Sequence, residues 1–178
     1  MRRTLLDSLL AVLAVTVVFG LAYPLVVTGI AQVAFPEKAD GDPTLIARDV
    51  KGSPRYFHPR PSATGYSSSA TFFANRGPNQ ANARSFYRDA LTAYVKRERP
   101  YNPGLTDADV PADAVTTSGS GVDPHISEAN ARIQARRIAS VRGVPLARVQ
   151  RLIRRSTEGG VFGPRVVNTT KLNEALDR

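Results

Sequence analysis

The sequence predicts an α+β protein: one N-terminal transmembrane helix followed by a single domain with a small sheet and three to four helices. Three observations carry this expectation. The stretch from Ser8 to Pro36 carries no charged side chain, with Asp7 before it and Glu37 after it. Beyond residue 78, apolar positions recur at helical spacing in segments closed by Gly or Pro. Only short β-rich runs lie between the periodic segments.

A bilayer core needs about 20 apolar residues as a helix. The uncharged stretch exceeds that length, and an extended chain in lipid would leave its backbone unbonded. The membrane helix is therefore expected from roughly Leu9 to Ala34. This divides the chain into a short N-terminus at residues 1–8, the span at 9–34 and the domain at 35–178. A cleaved signal peptide competes, with Arg2 and Arg3 as its basic end and Leu9 to Ala22 as its apolar part. The apolar run is too long for it, and Ala31 and Ala34 lack the small-x-small cleavage pattern. Thr16, Gly20, Pro24 and Thr28 fall on one i, i+4 row, where small residues let a second helix approach. Pro24 frees the Gly20 carbonyl and is expected to kink the helix.

Topology follows from the flanks. Arg2 and Arg3 precede the helix, and Glu37, Lys38, Asp40 and Asp42 follow it. Basic residues in a short flank stay cytoplasmic, whereas a long domain crosses largely regardless of charge. The N-terminus is expected inside and the domain outside.

Composition narrows the chemistry. The chain carries 24 Lys and Arg against 15 Asp and Glu, a net charge of +9, and no cysteine. A disulfide framework, a thiolate metal site and a cysteine nucleophile are excluded. A basic balance directs attention to nucleic acid or anionic lipid.

Along the domain, Leu45–Val50 reads as a short strand, Lys51-Gly52-Ser53-Pro54 as a turn and Arg55–His58 as a resumed strand stopped by Pro59 and Pro61. Ser62–Pro78 reads as a long loop pinned by Tyr66, Phe72 and Phe73. A first helix is expected over Asn79–Glu98, with Asn79 able to cap it, Phe86, Ala90 and either Ala93 or Tyr94 recurring at helical spacing, and Pro100 ending it. A second spans Ser127–Arg142 with Ile126, Ala129, Ile133, Ile138 and Val141 inward, stopped by Gly143. A third runs from Pro145 to Arg155 with Leu146, Val149, Leu152 and Ile153 inward, and Gly159-Gly160 breaks the chain after it. Phe162–Asn168 reads as loop plus short strand, and Thr169 or Thr170 caps a final helix to Leu176.

Four patterns suggest chemistry. Ser118-Gly119-Ser120-Gly121 is a donor-rich loop before a helix, able in principle to cradle phosphate. It lacks the Lys and spacing of a P-loop and the glycines of a nucleophile elbow, so a glycine turn fixed by Asp123-Pro124 is the stronger reading. Asp107, Asp109 and Asp113 imitate a calcium loop, but Pro111 replaces a ligand and the closing Glu is missing. His58 and His125 lack metal-ligand spacing. The two helices around Gly143, with Arg148, Arg151, Arg154 and Arg155, resemble a basic helix-turn-helix and would suit a membrane-tethered DNA-binding regulator. The expected outside location argues against nucleic acid. A free-standing anchored binding protein is the other alternative.

Several blocks, in order along the chain, carry a resemblance to a known family. They are Tyr23-Pro24-Leu25 through Thr28-Gly29-Ile30 with Gln32 and Phe35-Pro36, then Tyr56-Phe57-His58-Pro59-Arg60-Pro61-Ser62-Ala63 and Gly77-Pro78-Asn79. Ser118–Gly121 follows with Asp123-Pro124-His125-Ile126-Ser127, then Pro164-Arg165-Val166, Asn168, Lys171-Leu172-Asn173 and Ala175-Leu176-Asp177. The chain resembles the C subunit of the Kdp-type potassium-transporting ATPase, with Arg76, Val167 and Thr169-Thr170 as departures. The resemblance implies a non-catalytic subunit of an ATP-driven potassium importer in the bacterial inner membrane. Its implied partners are a channel-like potassium-binding subunit, a P-type ATPase subunit that hydrolyses ATP and a small single-helix subunit. It also implies a catalytic chaperone raising the ATP affinity of the ATPase subunit, with Ser118, Gly119, Ser120, Gly121 and Gln134 touching nucleotide. That conflicts with the topology, because ATP is cytoplasmic. The flanks favour a helix docked through Thr16, Gly20, Pro24 and Thr28, an outer domain over the potassium entrance and an indirect effect on ATP.

Overall fold

The computed structural model describes residues 2–70, 75–77, 79–160 and 163–178. Phe72, Phe73, Pro78 and Phe162 lie outside the described residues. The chain divides into two compact units, Met1–Pro43 and Thr44–Arg178.

The first unit is helical nearly throughout. Helix α1 covers Arg2–Val15, a π-helical stretch covers Thr16–Ala22, and α2 covers Tyr23–Ala34. The helix begins well before Leu9, and Ser8 returns its hydroxyl to the Thr4 carbonyl at 2.8 Å. Arg3–Ala34 is long and apolar enough to cross a membrane, with none of its most apolar stretch buried by protein. The strain of Pro24 is absorbed by the π-helical stretch directly before it. The Tyr23 amide bonds the Val18 carbonyl, five residues back. Proline clashes with the carbonyl four residues before it, and widening the preceding turns relieves that contact. A short helix α3, Pro36–Ala39, follows.

The second unit is α+β. Its helices are α4 (Ala83–Glu98), α5 (Glu128–Arg142), α6 (Leu146–Arg155) and α7 (Thr169–Leu176). Its sheet has three short strands, β1 (His125–Ser127), β2 (Thr157–Glu158) and β3 (Val166–Asn168). Their order is β1-β3-β2, and both pairings are antiparallel. Ile126 stands opposite Val167, and both are buried. The core gathers Phe57, Ile126, Ala135, Ile138, Val149, Ile153, Val167 and Leu172.

Local signals explain α5 and α6. The Ser127 hydroxyl caps α5 by accepting from the Asn130 amide, and Gly143 closes it at φ 65°, where a side chain would be strained. Pro145 sits at the N-cap of α6, whose Val149 and Ile153 are buried with Leu146 and Leu152 packed beside them.

Several expectations are corrected. Helix α4 starts at Ala83 with Asn82 at its cap, so Asn79 does not cap it, and of Ala93 and Tyr94 it is Tyr94 that is buried. The cap of α7 is Asn168, which accepts from the Lys171 amide. Thr169 and Thr170 lie in the first turn and send their hydroxyls to the carbonyls of Pro124 and Ile46. On α5, Ala129 is exposed, while Asn130, Gln134 and Arg137 point inward.

Neither Leu45–Val50 nor Arg55–His58 is a strand. In the second segment Arg55 lies in a turn and Tyr56 in a bend, and the backbone of Phe57 and His58 bonds side chains instead of a strand. The Phe57 amide donates to Asn173 Oδ1 at 2.8 Å, and Asn173 Nδ2 donates back to the Phe57 carbonyl at 2.9 Å. The His58 amide donates to Gln134 Oε1 at 2.8 Å, and Gln134 Nε2 donates to the His58 carbonyl at 3.1 Å. Two carboxamides thus stand in for a neighbouring strand.

Candidate functional site

Four places bear on function, and the first is the small-residue row of the N-terminal helix. Thr16 and Gly20 stay neighbours within the π-helical stretch, since a Cβ built on Gly20 would lie 3.7 Å from the Thr16 methyl. Thr16 and Gly20 belong to that stretch, and Pro24 and Thr28 belong to α2.

The second is the Ser118–Gly121 loop. Ser118 is buried, and its hydroxyl accepts from the amides of Gly121 at 3.2 Å and Asp123 at 3.4 Å. Its own amide donates to the Pro61 carbonyl at 2.8 Å. The Ser62 hydroxyl donates to the Gly121 carbonyl at 2.6 Å. Gly121 has φ 78°, and a Cβ there would meet Thr64 Oγ1 at 2.6 Å, so both conformation and space require glycine. Gly119 and Ser120 form the exposed tip. The loop is thereby fastened to the Pro61–Thr64 segment.

The third is a buried polar network along α5. Gln134 is 1% exposed, and its amide is saturated. Its Nε2 donates to the His58 carbonyl and, at 2.9 Å, to Asn130 Oδ1. Its Oε1 accepts from the His58 amide and, at 2.9 Å, from Arg137 Nη2. A carboxamide has two donor hydrogens and two acceptor sites, so no bonding capacity remains. Arg137 pairs with Glu98 at 3.0 Å, both side chains being 1% or less exposed. Its remaining donors reach the carbonyls of Pro54 and Tyr56. Tyr94 donates its hydroxyl to Asn130 Oδ1 at 2.8 Å, and burial pushes its phenol well above the ordinary range. His58 donates from Nε2 to the Ser53 carbonyl at 2.9 Å. Burial, assisted by the charges of Arg97 and Arg137, holds its pKa down to about 4, so it is neutral near pH 7.

Ser118 and Gln134 both spend their side-chain polar atoms inside the domain, Ser118 on its own loop and Gln134 on His58, Asn130 and Arg137.

The aspartates of the calcium-like pattern also have internal partners. Asp113 accepts from the Ser127 amide at 2.8 Å and from Asn130 Nδ2 at 2.9 Å, while Asp109 accepts from the Thr106 amide at 2.8 Å. His125 donates from Nδ1 to Asp123 at 3.0 Å, with Glu158 3.7 Å from its other nitrogen. Arg76 lays its guanidinium 3.7 Å over the Phe86 ring.

The fourth place is α6, whose outer face carries Arg148, Arg151, Arg154 and Arg155, all exposed, with no acid anywhere in the helix. Sequence reasoning found these arginines but missed Glu98 and the inward turn of Asn130 and Arg137. A charged residue in a Lys-Arg-Glu-Arg run carries no sign that its partner lies 39 positions away.

The protein-family comparison matches residues 5–178 to the model described as KdpC: K+-transporting ATPase, c chain. A potassium-transporting ATPase KdpC subunit of Mycobacterium tuberculosis (strain ATCC 25618 / H37Rv) is 42% identical over 194 aligned positions, covering 100% of both chains. One from Caulobacter sp. (strain K31) is 45% identical, covering 91% of this chain and 87% of its own. One from Cereibacter sphaeroides is 41% identical, covering 99% of this chain and 98% of its own. With the family model matched almost end to end and such relatives aligned along nearly their full lengths, the chain belongs to the KdpC family.

Proposed function

We propose that the chain is the non-catalytic accessory subunit of a Kdp-type potassium-transporting ATPase in the bacterial inner membrane. Its N-terminal helix spans the bilayer once, with the N-terminus in the cytoplasm and the domain outside. Thr16, Gly20, Pro24 and Thr28 receive a helix of the channel-like potassium-binding subunit. The small residues there permit close backbone approach, the main source of affinity between helices in lipid. The domain sits over the potassium entrance and stiffens it. ATP is hydrolysed on the P-type subunit, and the small single-helix subunit completes the assembly.

The single observation behind this reading is the saturated carboxamide of Gln134. The polar residues of the domain brace its own backbone, as a rigid scaffold requires. That bonding favours an indirect effect on ATP affinity over direct contact by Ser118–Gly121 and Gln134. Coupling between distant sites needs only that the domain bind one pump state more tightly than another.

Photocross-linking from Ser120 in the assembled pump tests the reading. Adducts with the outer loops of the channel-like subunit are expected. An adduct with an ATP analogue would defeat it. Protease added to intact spheroplasts should remove the domain, and survival until lysis would overturn the topology.

A further inference from the structure

Among the described residues, arginines such as Arg55, Arg84, Arg88 and Arg136 are scattered over the domain without an ion pair, and others are held by acids. Arg48, Arg60, Arg97, Arg132, Arg137 and Arg142 each stand within 4 Å of a carboxylate. Arg165 joins Arg132 on Glu128. On α6 the arginines without an ion pair are gathered on one helix. Its ten residues hold four arginines and no acid, and among the described residues none of the four has an ion-pair partner. Arg148, Arg151 and Arg155 stand three and four residues apart, and Arg154 flanks Arg151, so the four share one face with Ala147 among them. The opposite face is buried through Val149 and Ile153, which fixes the arginines outward.

Such a face works against its own helix. Like charges at i, i+3 and i, i+4 destabilise an isolated helix, and neighbouring elements supply no counterion. A counter-charge from outside the domain removes the conflict. The partner must be anionic, extended and within reach. If the N-terminal helix spans a bilayer, as proposed above, one such surface is always present. The segment between Ala34 and Thr44 is nine residues, about 30 Å at full extension, so the domain never leaves its neighbourhood. We infer that the arginine face of α6 is a docking surface for the anionic phospholipid headgroups of the bilayer in which the chain is anchored. Guanidinium forks match phosphate oxygens two at a time, which suits arginine over lysine here. A juxtamembrane basic cluster gains from each added charge, and the gain vanishes when salt shortens the Debye length to a few ångströms.

The absence of cysteine allows a clean test on the full chain. A spin label is placed at Ala147→Cys, and the protein is reconstituted into vesicles of phosphatidylcholine alone or with phosphatidylglycerol added. Flotation with the vesicles at high salt verifies the anchor, so failure of that reading is seen separately. The label's accessibility to a water-soluble relaxant should fall about twofold or more in the anionic vesicles. Molar salt should restore it, and replacing the four arginines with glutamine should abolish the fall. The salt arm uses the unaltered face, so it remains decisive if the fourfold variant does not fold. Equal accessibility in both vesicles overturns the inference. Protection that appears only with the other pump subunits, whatever the lipid charge, assigns the face to an acidic protein. Retention of duplex DNA without any lipid effect assigns it to the helix-turn-helix reading.

Discussion

In the N-terminal helix, Leu9, Phe19, Leu25 and Ile30 stand outward, between 61 and 69% exposed. In the domain, Glu98, Gln134 and Arg137 are 1% exposed or less. The two units therefore reverse the usual distribution in opposite ways. The helix bonds its backbone largely within itself and leaves its apolar side chains to the surroundings, and Arg3–Ala34 is long and apolar enough to cross a membrane. The domain buries polar groups because Phe57 and His58 have no strand beside them, and their amides and carbonyls need partners. One unit depends on its solvent and the other on a closed set of hydrogen bonds.

Breaking the closed set should give the largest effect. Glu98→Ala leaves the Arg137 guanidinium buried and uncompensated, and loss of one partner of such a pair costs about 3–5 kcal/mol. Urea unfolding of the full chain in detergent, followed by tyrosine fluorescence, should report that loss as a lower midpoint. Gln134→Leu keeps the volume but orphans the His58 amide and carbonyl, a cost of about 3 kcal/mol. An unchanged midpoint would show that water replaces the carboxamide and that the network does not bear on stability.

Acid should act more gently through His58. Its folded pKa of about 4 lies below the ordinary 6.5, so the unfolded chain binds the proton more tightly. The contribution is fully present above pH 6.5 and is lost as pH falls towards 4, about 2–3 kcal/mol in all. His58→Gln should flatten this part of the pH-stability curve, and an identical slope in the variant would contradict the assignment. The smallest effect on the domain should come from the other unit. Gly20→Leu should leave the unfolding free energy from urea within about 0.5 kcal/mol of the original. It should nevertheless reduce co-purification with the channel-like subunit. Unaltered co-purification would remove the small-residue row from the proposed interface.

What was legible in the sequence follows the range of the interactions. Signals within a few residues were readable: the apolar span, the Gly143 stop, the apolar face of α6 and the strand ending at Asn168. Interactions across long separations were not. Arg55–His58 looked like a strand, but Phe57 and His58 find their partners in Asn173 and Gln134, more than seventy positions on. The 1–2-residue reach of turn chemistry gave no warning of β1 or β2, whose pairing depends on β3. Apolar periodicity misjudged the inward face of α5, because Asn130, Gln134 and Arg137 are buried there by hydrogen bonding and ion pairing. Ser118 was noticed for its hydroxyl, yet its bonds to Gly121 and Asp123 serve the loop itself. Glu98 could have been found only by asking which acid neutralises an inward arginine.

Carboxamides stay uncharged at every physiological pH. The seam that Asn173 and Gln134 make with Phe57 and His58 therefore has no long-range field for dissolved ions to weaken. For a protein assigned to a potassium importer, whose bathing medium changes in cation content as the pump works, this is a joint indifferent to electrolyte. Pairs such as Arg48 and Glu174, out in solvent, would loosen and tighten with each such change, while the seam keeps its length.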